Sequence, residues 1–131
     1  MQITITIEQA TVLFSILSRV PLKNDENSVR WMFLDSLEPE IAGFEKTQDE
    51  LFAELRIHEF ESKKVDGDKL SFIRAEKAFK ESIDALKKQT ITCSINPGLL
   101  KIYNAIETEK LSVTESRIYA QLHPIFNTDC I

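Results

Sequence analysis

Two histidines, two cysteines and a run of carboxylates carry whatever catalytic or metal chemistry this sequence could hold. His58 is followed by Glu59 and Glu61, and on a helix His58 and Glu61 share a face and could hold a metal ion. The metalloprotease pattern needs two histidines on one helical face with a glutamate after the first. It is absent, so a solvated helix end is the favoured reading. His123 precedes Pro124 and reads as a capping or surface residue. Asp66, Gly67 and Asp68 match only a fragment of a calcium loop, which asks for further acidic positions and a closing glutamate. Here the chain runs into Leu70, Phe72 and Ile73 instead, so a tight turn is expected, with Asp66-Gly67 supplying the positive φ.

Cys93 alternates with Ile91 and Ile95, which makes it a small core hydrophobe rather than a nucleophile beside a base. Cys130 stands next to the last residue. Two cysteines in such unlike settings point to a reducing compartment without a disulfide framework. Whether Cys93 and Cys130 ever pair depends on a distance that sequence does not give. Glu38, Glu40, Glu45, Asp49, Glu50 and Glu54 would need burial to separate their pKa values for acid–base work, and their spacing places them on a solvated helix face. Three glycines in the whole chain leave no phosphate-cradling loop, and no nucleophile elbow occurs. No catalytic residue, metal ligand or cofactor is assigned, and a non-catalytic protein is expected.

The elements that would position such groups are clearer than the groups themselves. Leu34, Leu37, Ile41, Phe44, Leu51 and Leu55 fall at alternating three- and four-residue steps interrupted only by Gln48. This heptad stripe predicts a long helix with one apolar face. A polar residue at a seam position fixes register or partner number, or else faces the loop side of a kinked helix. Pro39 predicts a kink near Glu38 or a break. After the turn, Phe72, Phe79, Ile83 and Leu86 form a second stripe, and two striped helices joined by a short loop predict an antiparallel hairpin over 28–88, capped by Asn27 or Ser28. Trp31, Met32 and Phe33 are three consecutive large apolar residues that cannot all face one core. Burial of Trp31 under the first helix is favoured over a partner contact.

Ile3, Ile5 and Ile7 alternate with polar residues and predict a strand over 2–6, and Thr90 to Ile95 alternates in the same way. The two could pair. Thr6 with Gln9 reads as a capping box opening a helix over 7–20, ended by Pro21. Leu99, Leu100, Ile102, Tyr103 and Ile106 form a short amphipathic segment, Leu111 to Val113 a third small strand, and Thr114 the cap of a last helix stopped before Pro124. The expected architecture is α+β: a single domain over 1–131 with a long antiparallel helical hairpin, a small two- to three-stranded sheet, and short C-terminal helices over 97–123.

At 131 residues the chain can bury a core without metal or disulfide. A net charge of −5, with 16 basic residues among 21 acidic ones, opposes binding to a nucleic-acid backbone. No stretch approaches the roughly 20 apolar residues of a membrane span, and residues 1–7 lack the basic and apolar regions of a signal peptide. A cytoplasmic location is expected, with no membrane partner.

Several segments together carry a resemblance. They are Arg30 to Leu34, Leu37-Glu38-Pro39-Glu40-Ile41 and Phe44-Glu45-Lys46 in the first half. Ala78-Phe79-Lys80, Ile83-Asp84-Ala85-Leu86, the strand at Thr90 to Ile95 and Leu122-His123-Pro124-Ile125 follow in the second. In this order they resemble a loose family of small uncharacterised proteins encoded by tailed bacteriophages, over most of the chain. The resemblance brings no site residues. It implies expression in an infected bacterial cytoplasm and protein–protein binding in virion or tail assembly. The alternative is a phage-encoded inhibitor of a bacterial defence or host protein, and a small metal-dependent enzyme using His58, Glu61 or His123 is the third reading. Trp31, Leu34, Ile41 and Gln48 are the candidate partner-binding residues, and the same stripe could serve self-association.

Overall fold

The structure is a computed structural model that describes residues 2–22, 24–64 and 69–127. The expected Asp66-Gly67 turn and Cys130 lie outside the described residues. The chain opens with strand β1 (Gln2–Thr6) and helix α1 (Ile7–Arg19), followed by α2 (Asn24–Lys64) and α3 (Lys69–Lys87). Strand β2 (Thr90–Ser94), helix α4 (Pro97–Asn104), a single 3₁₀ turn and helix α5 (Val113–Phe126) complete it. This is the α+β architecture expected, mostly helical, with a hairpin of long helices. The chain divides into two compact units, one of residues 1–41 with 90–131, the other of residues 42–89.

In the first unit the two strands pair antiparallel, with Ile3 opposite Cys93 and Ile5 opposite Ile91. The period of two sends these residues to the core side and Thr4 and Thr92 to the other, where their hydroxyls lie 3.4 Å apart. Thr6 and Gln9 form the reciprocal capping box that opens α1, and Val20 before Pro21 closes it. Leu13, Leu17, Leu34, Leu37, Leu99, Tyr103, Leu122 and Phe126 are among the residues that fill the core. Asn96 accepts from the Leu99 amide at 2.8 Å, so the Asn96-Pro97-Gly98 step starts α4. Tyr103 stacks between Tyr119 at 4.6 Å and Phe126 at 4.1 Å. Its hydroxyl donates to the Tyr119 carbonyl at 2.7 Å, and the Tyr119 hydroxyl donates back to the Tyr103 carbonyl at 3.1 Å. This reciprocal pair locks α4 to α5.

Several expectations are corrected. Helix α2 starts at Asn24, a turn before the expected Asn27 or Ser28 cap, because Asp25 and Glu26 favour the positive end of the helix dipole. It passes through Pro39 without a break. The carbonyl that Pro39 leaves without a partner belongs to Asp35, which is exposed to water. Leu111 to Val113 is not a strand: a 3₁₀ turn (Thr108–Lys110) precedes it, and Ser112, not Thr114, caps α5 through a box with Glu115. Helix α5 does not stop before Pro124 but runs to Phe126, whose stacking on Tyr103 offsets the lost backbone bond. The described sheet therefore has two strands. Ser112→Ala removes the acceptor of the Glu115 amide at 3.1 Å. It is expected to lower stability by about 1 kcal/mol, read as a shift in denaturation midpoint, whereas Thr114→Ala should shift it little.

In the second unit, α3 lies antiparallel to the second half of α2, and the Phe52 and Phe79 rings meet at 6.0 Å. Phe44, Leu51, Leu55, Phe72, Phe79 and Leu86 are half-buried here, and among the described residues 42–89 only Ile83 is buried. Two helices have no third layer to close a core between them.

Candidate functional site

The groups singled out for chemistry stay apart. His58 and Glu61 are exposed on α2, and His123 is exposed in the last turn of α5, 6.2 Å from the Tyr103 ring. Among the described residues no group of three or more His, Cys, Asp or Glu gathers where it could hold a metal ion. Glu38, Glu40, Glu45, Asp49, Glu50 and Glu54 are all exposed, the solvated face their spacing implied.

Cys93 is a buried free thiol on β2. Burial pushes its pKa up to about 11, so it is a neutral thiol at pH 7. Its ordinary, unfolded value lies lower, so the contribution to stability is present below that value and is lost as pH rises toward 11. Reaction of native Cys93 with a thiol reagent at pH 8 is expected to be about 100-fold slower than in denaturant. Equal rates would mean that the thiolate is accessible in the fold.

Two grooves open on the first unit. One, of about 440 Å³, lies along β2 and the first turns of α2, and its lining from Val29 to Leu99 carries no charge. The other, of about 430 Å³, has an apolar floor including Ile16 and Ile106 under Arg19, Glu26, Glu107 and Lys110. Lys110 pairs with Glu107 at 2.6 Å, and Arg19 pairs with Glu115. Neither groove joins a nucleophile to a base.

The residues expected to bind a partner separate into three groups. Leu34 and Ile41 are buried in the core of the first unit, so they have no surface left to offer a partner and leave the candidate set. Gln48 is half-buried on the hairpin helix. Trp31 is 43% exposed and Met32 71%, while Phe33 turns inward. The three consecutive apolar residues thus divide as helical geometry requires, and the favoured burial of Trp31 is only partial. The Arg30 guanidinium lies 5.4 Å from the Trp31 ring centre.

One set of exposed apolar residues was not singled out in the sequence as a site. Phe52, Ile57 and Phe60 on α2 and Leu70 and Ile73 on α3 are all exposed. They fall outside the heptad stripes, where periodicity alone assigns them to solvent. The antiparallel pairing anchored at Phe52 and Phe79 brings Ile57 and Phe60 to the level of Leu70 and Ile73. Among the described residues no helix is long and apolar enough to cross a membrane. No protein-family model, curated protein or solved structure matches this chain.

Proposed function

We propose that this chain acts by protein–protein binding, without catalysis, and that it does so in the assembly of a tailed-bacteriophage particle within the infected cell. The observation that carries the binding reading is the exposed apolar cluster of Phe52, Ile57, Phe60, Leu70 and Ile73 on the hairpin. Five large apolar side chains left exposed on one pair of helices exceed the scattered single residues of an ordinary surface, and such exposure marks an interaction surface. The scattered histidines and the neutral Cys93 supply no competing chemistry. The assembly context rests on the resemblance of the sequence segments to tailed-phage proteins.

A tagged pull-down from infected bacteria tests it, comparing the natural chain with Phe60→Asp/Ile73→Asp. Phage head or tail proteins recovered by the natural chain and lost by the variant are expected. A stoichiometric host complex in their place would make the inhibitor of a defence or host protein the correct reading. Equal recovery by both chains would remove the hairpin from the argument.

A further inference from the structure

We propose that the uncharged groove between β2 and α2 binds an extended segment of another protein, which adds to the open edge of β2 as a third strand and carries apolar side chains at alternate positions. This site lies in the first unit and is separate from the hairpin surface above.

The lining shows which part of β2 the groove meets. Successive residues of a strand point to opposite faces, so a groove on one face would touch every second residue. This groove touches five in succession, from Thr92 to Asn96. It therefore runs along the edge of the strand, where the main-chain groups stand. β1 pairs with β2 on the other edge, and alternate residues of a strand so paired keep their N–H and C=O for the opposite side. Among the described residues no backbone hydrogen bond reaches residues 90–94 outside that pairing. Val29, Met32, Phe33 and Ser36 form the facing wall, and their three- and four-residue steps are one side of a helix.

The chemistry of the walls selects the occupant. A row of main-chain donors and acceptors is matched by another extended backbone, while the helix wall takes its alternate side chains. No charged residue lines the groove, so a charged side chain entering it would lose water and meet no counter-charge. The inserted segment is therefore uncharged. Five residues of edge span about 13 Å, which sets its length at about five residues. β2 carries no lysine, proline or bulge, the devices that keep an edge strand from pairing. The groove volume of about 440 Å³ falls within the range of formed ligand sites.

The probe is a blocked peptide with the sequence of residues 2–6, an uncharged alternating strand that the other edge of β2 already accepts. Titrated into the isotope-labelled full chain, it is expected to bind saturably with Kd below about 1 mM, shifting the amide resonances of Met32, Ser36 and Thr92. Met32 and Ser36 are exposed, so Met32→Glu/Ser36→Glu should keep the natural circular dichroism spectrum and weaken the peptide at least about tenfold. Two further peptides are N-methylated at alternate residues, one in each phase. The phase that faces β2 should lose binding at least about tenfold, and the other should keep it, because alternate amides of a strand point to opposite sides. No saturable binding below about 1 mM overturns the proposal, as does equal binding by the two methylated phases, which would mean an apolar contact without strand pairing. Binding indifferent to Met32→Glu/Ser36→Glu would mean that the peptide displaces β1 instead, and also overturns it. A natural chain that doubles its mass in sedimentation and returns to one mass in that variant would make a second copy the occupant in place of another protein.

Discussion

Arg30→Ala is expected to lower the stability of the chain by about 3 kcal/mol, with the denaturation midpoint shifted and its slope unchanged. Arg30 is the one charged residue buried among those described. Its guanidinium donates to the Leu17 carbonyl at 3.2 Å, to the Val20 carbonyl and to the Asn27 side-chain oxygen. Leu17 and Val20 stand where α1 ends, and the last carbonyls of a helix have no partner within it. A cation there also meets the negative end of the helix dipole. Truncation to Ala takes this donor from the part-buried Val20 carbonyl and Asn27 side-chain oxygen, leaves the Leu17 carbonyl with the Val20 amide alone, and adds a cavity. The Arg30 Nε makes no hydrogen bond, which holds the net effect below the sum of the three bonds. Arg30→Lys should recover less than half, because an ammonium is a point charge and cannot span three acceptors in a plane. Trp31 reports the change, since the guanidinium lies against its ring. A variant within about 0.5 kcal/mol of the natural chain would mean that water satisfies the end of α1 unaided.

Arg30 also marks the limit of what the sequence made legible. It reads there as a basic residue beside an apolar run, and nothing in its neighbours says that α1 will end against it. The local signals fared better. Alternation of Ile3, Ile5, Ile91 and Cys93 placed both strands and their pairing, since a period of two fixes which face is buried. Thr6 with Gln9 placed the start of α1 because a capping box is closed within four residues. The two long helices followed from their stripes. The break offered at Pro39 and the stop offered before Pro124 do not occur, because the cost of a helical proline depends on whether the freed carbonyl reaches water and what packs nearby. Both are tertiary facts. Ser112 was passed over for Thr114, although Glu115 completes a box only with the former. For the proposed binding surface, the stripe gave the apolar face of α2 but not what covers it. Half of the predicted partner residues, Leu34 and Ile41, are core, while the exposed Phe60 and Ile73 sit off the stripe.

Two substitutions on that single stripe should separate its halves. Leu34→Ala is expected to cost 3 to 5 kcal/mol, about the range for a fully enclosed leucine that leaves a cavity. Leu34 has no exposed surface and packs in the core of the first unit. Leu51→Ala, two heptads and a few residues further along the same face, is expected to cost about 1 to 2 kcal/mol. Leu51 is half-buried in the hairpin, and its neighbours there are half-buried as well, so less transfer energy is lost and the site can collapse or fill with water. Denaturation of both variants measures the difference, and amide exchange locates it. Leu34→Ala should raise exchange through β1, β2, α1 and α5, since these share its core. Leu51→Ala should raise it within residues 42–89, because local opening follows the unit that holds the contact. Equal costs would mean that the hairpin is as enclosed in solution as the core, which for two helices requires a covering partner. In that case Leu51→Ala should become more costly as protein concentration rises if the covering surface is a second copy, and stay constant if it is not.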